Sequence, residues 1–206
     1  MEKVKKVLDR IFIEGLSAMA QGLFATLIIG TIIQQIGSFI PGQAGTILFV
    51  IGKVAASLTG AGIGVAVAYK FNESPLVVVS AATAGMTGAF ASKLLAGTVL
   101  VDGAMVYSGP GEPLGAFLAA YVGIYFGHLV SGKTKVDILV TPIISIGTGS
   151  AVGLILGPPI SGFMVWLGSV INWGREQQPF LMGIIVSVLM GMILTLPISS
   201  AALGII

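Results

Sequence analysis

The sequence contains no cysteine, and Lys, Arg, Asp and Glu together make up only 9% of its 206 residues. An average soluble domain carries roughly 25% charged residues, so these few charges could not cover a water-soluble monomer. The mean hydropathy of +1.04 also excludes a disordered chain. Without cysteine there is no disulfide framework and no thiolate metal site. The net charge of +2 gives no reason to expect a nucleic-acid partner.

What the sequence does contain is long apolar blocks. No charged residue occurs over 15–52, 138–174 or 177–206. A membrane-spanning helix needs about 20 apolar residues, whereas a membrane β-barrel would show segments of about ten residues that alternate apolar and polar. The sequence therefore predicts an all-α polytopic membrane protein with about seven hydrophobic passes.

Glycine is abundant, at 30 of 206 residues. Membrane helices pack closely where small residues recur every fourth position, and glycine also permits broken or re-entrant helices around a polar cavity. We predict glycine-rich helix packing at five positions: Gly149, Gly153, Gly157, Gly183 and Gly191.

The apolar blocks predict a single transmembrane domain over 1–206, of which 1–14 form a basic amphipathic N-terminus that is retained rather than cleaved. Within it, Glu14 is expected to pair with Arg10, four positions earlier. The stretch 75–101 is small and polar for a lipid-facing helix, so we expect a discontinuous span or a re-entrant hairpin there. Two short passes broken at Gly157-Pro158-Pro159 are expected in 138–173. The other predicted spans are about 15–39, 46–69, 113–131 and from 178 onward.

Orientation follows from the basic residues in short loops. With the N-terminus in the cytoplasm, Lys70, Lys133, Lys135 and Arg175 also fall inside. The loop 102–112, which contains two acids and no base, then falls outside. The predicted location is a bacterial cell membrane. Because the sequence ends on LPISSAALGII without a charged tail, we expect it to be the N-terminal part of a longer protein.

One motif is discounted. Residues 127–134 read GHLVSGKT and match the phosphate-binding pattern G-x4-G-K-T. That loop needs a strand before it and a helix after it, whereas a membrane span precedes it here. The sequence also has no H-E-x-x-H, no nucleophile elbow and no carboxylate cluster. We therefore predict no enzyme activity, no cofactor and no metal.

Polar residues inside or beside apolar runs are the candidates for solute binding, because neutral solutes need hydrogen-bond donors and acceptors. Four of them have a simpler alternative: Asn72 and Glu73 could cap a helix, His128 could be interfacial, and Lys93 could extend to the membrane surface. The candidate substrate-binding residues are Asn72, Glu73, Thr83, Thr87, Lys93 and His128.

Two stretches carry a family resemblance. Residues 127–142 (GHLVSGKTKVDILVTP) and 179–202 (PFLMGIIVSVLMGMILTLPISSAA) resemble the integral-membrane IIC component of bacterial phosphoenolpyruvate-dependent sugar phosphotransferase systems. They are most similar to the branch that includes relatives of the perfringolysin regulator PfoR. In that branch the similarity would extend through nearly the whole sequence.

The resemblance implies a sugar permease, often a homodimer in the lipid bilayer, that works with soluble IIA and IIB phosphocarrier proteins. Other IIC branches contact sugar through a His and the Glu of a G-I-T-E-P motif, of which only Gly111-Glu112-Pro113 is present. We do not transfer that role to Glu112. The alternative function is a membrane-embedded sensor or regulator that uses the same fold without transport.

Overall fold

The structure is a computed structural model that describes residues 9–101, 103–107, 109–177, 183–184 and 187. Almost all of this part is helical. One antiparallel strand pair, β1 (Leu100–Val101) with β2 (Ala104–Met105), is the exception. The helices are α1 (Arg10–Phe39), α2 (Gln43–Ser57), α3 (Thr59–Lys70), α4 (Pro75–Ala89), α5 (Ala91–Leu95), α6 (Pro113–Val130) and α7 (Asp137–Gln177).

Prolines mark where two of the helices begin. Pro75 and Pro113 each occupy the first turn of their helix. Proline suits this position because its fixed φ matches the helix and its missing N–H would have had no partner there. The sequence thus fixes the start of α4 and of α6 locally.

The centre of the bundle is formed by α3, α4 and α6, with α1 and α7 packed around them. Its side chains are small: Ala81 of α4 and Ala116 and Ala120 of α6 are fully buried, beside Ile63 and Val67 of α3. In a membrane, where lipid tails are as apolar as the protein interior, such close packing of small residues is the main source of helix association.

The first two helices pack antiparallel through glycine. A Cβ added to Gly30 of α1 would lie 2.8 Å from the Gly52 carbonyl oxygen of α2 and 2.7 Å from the Ala56 nitrogen. The outward faces of both helices expose large aliphatic side chains. This pair is therefore a helical hairpin that joins the bundle chiefly through the first half of α1.

The number of passes is smaller than predicted. Within the described residues, three helices are long and apolar enough to cross a membrane, and the bent pair α2–α3, with a 54° angle between its halves, makes up to four. The sequence predicted about seven. One predicted pass, from 178 onward, falls almost entirely outside the described residues.

Residues 138–173 account for part of this difference, because the two predicted passes form one helix. α7 continues through Pro142, Pro158 and Pro159. Gly157 before Pro158 avoids one clash, that between the proline ring and the Cβ of the preceding residue, but a proline inside a helix still removes a backbone hydrogen bond. Membrane helices also tolerate proline where neighbouring groups satisfy the freed carbonyl oxygens.

The stretch 75–101 is interrupted, but not where its polar residues suggested. α4 ends at Ala89, and α5 follows after Phe90, so Ser92 and Lys93 lie within a helix. At 15 residues α4 is shorter than the other candidate spans. The strand pair after α5 was not predicted, because two-residue strands leave no periodic pattern in the sequence.

Candidate functional site

A tight turn between α3 and α4 forms the base of the candidate site. Asn72 has a φ of +57°. Its N–H donates to the Tyr69 carbonyl at 3.0 Å, and the Glu73 N–H donates to the Ala68 carbonyl at 3.1 Å. This double hydrogen bond is a Schellman motif, in which Asn is an accepted substitute for Gly. It ends α3 and fixes the backbone of Glu73.

The Glu73 carboxylate lies between an imidazole and a guanidinium group. His128, in the last turn of α6, places Nδ1 2.8 Å from Oε2, and an Arg10 guanidinium nitrogen lies 3.7 Å from Oε1. The Glu73 side chain is only 4% exposed, whereas those of Arg10 and His128 are 49% and 66% exposed. The two partners therefore cover the carboxylate while remaining in contact with solvent.

Arg10 has a second contact that holds it in place. Its guanidinium carbon lies 4.4 Å from the ring centroid of Phe71, the residue that ends α3. An arginine over an aromatic face gains about 0.5–1 kcal/mol at an exposed site. The first turn of α1, the α3–α4 turn and the end of α6 thus meet at Glu73, and we call Arg10, Glu73 and His128 the Glu73 cluster.

Hydroxyl and amide groups tie the same end of the bundle together. The Ser74 and Ser131 hydroxyls lie 2.8 Å apart and join the start of α4 to the end of α6. The Asp137 carboxylate accepts from the Gly132 N–H at 2.9 Å and from the Thr141 hydroxyl at 2.6 Å. The loop before α7 is therefore fixed close to the Glu73 cluster.

The six candidate binding residues do not form one site. Asn72, Glu73 and His128 lie together at this end. The Thr87 hydroxyl donates to the Thr83 carbonyl at 3.0 Å within α4. Lys93 lies beyond α4, on α5, with its Nζ 5.6 Å from the Phe90 ring centroid. A helix of 15 residues is about 22 Å long, so Lys93 is far from Glu73.

The simpler alternative for Asn72 and Glu73, a side-chain cap on α4, is not what the described contacts show. The N-cap residue of α4 is Ser74, and no side chain caps that helix. Arg10 was expected to pair with Glu14 on its own helix. That expectation was wrong, because the ion pair of Arg10 is with Glu73, 63 positions along the chain.

Arg10, Ser74 and Ser131 are members of this site that sequence reasoning missed. Arg10 was interpreted as part of a basic N-terminus and as a partner of Glu14, and the serines carry no recognisable motif. Their contacts join positions far apart in the chain, and no local spacing signals such contacts. Residues 127–130 of the phosphate-loop pattern form the last turn of α6, so a helix and not a strand precedes the loop.

The glycines of α7 lie at helix contacts. A Cβ on Gly149 would lie 2.6 Å from the Ala119 carbonyl oxygen, and one on Gly153 would lie 2.9 Å from the Ala119 Cβ. Gly157 faces the Ala91 Cβ. For Gly183, no atom of the described residues lies within 4 Å of an added Cβ. Gly191 lies outside the described residues.

At the opposite end of α6, Glu112 precedes the span. Its N–H donates to the Ala89 carbonyl at 2.8 Å. Partial burial raises the pKa of the Glu112 carboxyl above 4.5, and a hydrogen bond from the Leu114 backbone opposes this rise. The charged form is therefore disfavoured here, since burial removes hydration from the carboxylate.

We expect Glu112→Gln to raise the melting temperature of the detergent-solubilised protein at neutral pH. With its pKa raised in the folded state, Glu112 makes stability fall as pH rises from 4.5 through the folded-state pKa. Glutamine lacks this titration. Thermal unfolding from pH 4 to 8 measures the effect, and the difference between the two proteins should vanish at the acid end. A pH-independent difference would contradict the assignment.

Nothing in the described part of the chain forms a metal site: no group of three or more His, Cys, Asp or Glu side chains is placed to hold an ion there. What the Glu73 cluster offers is a carboxylate acceptor, an imidazole and an adjacent exposed amide. These groups hydrogen-bond to hydroxyls and need no cofactor to do so.

Comparison with known proteins gives one finding. The family described as phosphotransferase system, EIIC, matches residues 13–206, which is nearly the whole chain. No curated protein and no solved structure matches the chain. EIIC proteins are the membrane transport components of sugar phosphotransferase systems, and the apolar helices agree with that role. The chain therefore belongs to the phosphotransferase system EIIC family.

Proposed function

We propose that the protein translocates a sugar across a bacterial cell membrane, with soluble IIA and IIB proteins supplying the phosphoryl group. The observation that carries this proposal is the family match over 13–206. The chain itself has no cysteine, and its one histidine contacts Glu73. We therefore assign phosphoryl transfer to the partners and solute handling to this chain.

Within this function we propose the Glu73 cluster as part of the solute path. A carboxylate that is 4% exposed but covered by two partly hydrated side chains can exchange one of those partners for a solute hydroxyl. His128 is the more exposed of the two, so it is the partner that a sugar would displace. Asn72 adds an exposed amide beside it.

The orientation proposed is N-terminus inside. The Glu73 cluster then faces the cytoplasm together with Lys70, Lys133 and Lys135, all of which are exposed. This arrangement follows the excess of basic residues in cytoplasmic loops. We also propose a homodimer, on the basis of the family resemblance.

Transport assays test the function directly. The full-length protein is reconstituted into vesicles with its IIA and IIB proteins and phosphoenolpyruvate, and a panel of radiolabelled sugars is offered from the outside. We expect one sugar class to accumulate as the phosphate ester, only when all components are present. If a sugar binds the protein but none accumulates, the sensor alternative replaces transport.

A further inference from the structure

The segment between α5 and α6 exposes large apolar side chains. Leu100 and Met105 are 61% and 63% exposed, and Leu95, Val101 and Val106 are also exposed. We call residues 95–101 and 103–106 the apolar hairpin. Loops that face water seldom carry so many exposed aliphatic residues together, and such a patch usually marks an interaction surface.

The backbone holds these side chains outward. Leu100 pairs with Met105 across the two strands, so both lie on one face of the hairpin. The Val106 N–H donates to the Val99 carbonyl at 2.8 Å, and Val99 itself is buried. Because successive side chains of a strand point to opposite faces, Leu100 and Met105 lie on the face opposite the buried Val99.

The base of the hairpin is anchored to the bundle. The Tyr107 ring packs on Phe90 with the centroids 4.9 Å apart, and the Glu112 N–H bonds to the Ala89 carbonyl. The chain before Glu112 also passes very close to Ala89. A Cβ added to Gly111, which has a φ of +75°, would lie 2.8 Å from the Ala89 carbonyl oxygen.

Helix lengths place the hairpin at a definite depth. The hairpin lies beyond the last residue of α4 and the first residue of α6. At 1.5 Å per residue, α4 is about 22 Å long and α6 about 27 Å long. The opposite ends of both helices carry the Glu73 cluster and the charged loops. The hydrocarbon core of a bilayer is about 30 Å thick, so the hairpin starts near its far boundary.

Charge supports the same placement. Residues 94–111 contain one charged residue, Asp102, whereas the loop 131–137 at the other end contains Lys133, Lys135 and Asp137 within seven positions. We propose that the apolar hairpin is a membrane-contact element, with Leu100 and Met105 against lipid acyl chains at the boundary opposite the Glu73 cluster. The exposed aliphatic side chains of α1 and α2 make a further lipid-facing surface.

Single introduced cysteines test this proposal, because the sequence contains no cysteine that would also react with the label. Leu100→Cys and Met105→Cys are labelled with an environment-sensitive fluorophore and reconstituted into vesicles. Quenching is measured with phospholipids brominated near the headgroup end of the acyl chain, and separately with iodide in the water. We expect strong quenching by the brominated lipid and little by iodide at both positions.

Two controls bracket the result. Val50→Cys, at an exposed position of α2, should be quenched by brominated lipid. Thr134→Cys, in the charged loop before α7, should be quenched by iodide added on the side of the membrane that this loop faces. Iodide quenching of the hairpin labels equal to that of Thr134 would overturn the proposal. Protection from both quenchers would also overturn it, because a second copy or residues 178–206 would then cover the hairpin.

Discussion

Gly153→Leu is expected to abolish recovery of folded protein, whereas Gly147→Leu on the same helix should leave it folded. A Cβ on Gly153 would already lie 2.9 Å from the Ala119 Cβ and 3.0 Å from the Gly88 Cα. A leucine there must push α7 away from α4 and α6. Overpacking costs typically 1–3 kcal/mol and occasionally more, and a clash with backbone belongs at or above the upper end.

Gly147 is the matched control because it receives the same substitution in the same helix. Around an added Cβ at Gly147, no atom of the described residues lies within 4 Å. Leucine is a better helix former than glycine by up to about 1 kcal/mol, so Gly147→Leu should be neutral or slightly stabilising. Monodisperse yield and melting temperature in detergent measure both variants. Equal yields and melting temperatures for the two variants would show that the contacts of Gly153 do not hold α7 in place.

Glu73→Ala should reduce sugar transport by about tenfold to a hundredfold, since hydrogen bonds to charged groups contribute roughly 1.5–3 kcal/mol. The folded yield should fall much less. When Glu73 is removed, Arg10 and His128 remain, and both are about half exposed or more and can be hydrated. This asymmetry separates a functional loss from an unfolded protein.

The reverse change should behave differently. The double variant Arg10→Ala, His128→Ala removes both side chains that pair with the Glu73 carboxylate, and a partly buried charge left without a partner is costly. We expect this variant to be less stable than Glu73→Ala. Glu14→Ala, which removes an exposed carboxylate from the same helix as Arg10, is the control and should transport normally.

If Glu73→Ala transports sugar at the rate of the unmodified protein, Glu73 is not part of the solute path. The Glu73 cluster would then serve only to hold the helices together. Glu73→Gln distinguishes charge from shape. If the carboxylate accepts a sugar hydroxyl, glutamine should restore part of the transport; if it serves only as an ionic tie, glutamine should resemble alanine in stability and change transport little.

The features that the sequence predicted well are those encoded locally. Charge-free blocks identified a helical membrane protein, and the stretches predicted to start at 75 and at about 113 begin as helices at Pro75 and Pro113. Both signals act within a few residues: burial of an apolar run, and a proline whose missing N–H costs nothing in the first turn. Tertiary contacts are not needed to interpret them.

The errors come from long-range contacts. Pro158 and Pro159 predicted a break, but α7 continues through both, and the glycines before them pack α7 against α4 and α6. Helical spacing predicted that Arg10 pairs with Glu14. Instead, α1 passes close to the α3–α4 turn, and Glu73 of that turn is the ion-pair partner of Arg10. Asn72 and Glu73 were singled out from composition, but nothing local could have added Arg10 or Ser131.

The glycine contacts also set limits on suppressor genetics. An added Cβ at Gly157 meets the Ala91 Cβ, so Ala91→Gly could restore room for Gly157→Ala. At Gly64 the nearest atoms are the carbonyl and amide atoms of Ala81 and Ala82. No substitution can trim a backbone, so a defect caused by Gly64→Ala should yield revertants only at codon 64 itself or at distant positions that shift α3 or α4 as a whole.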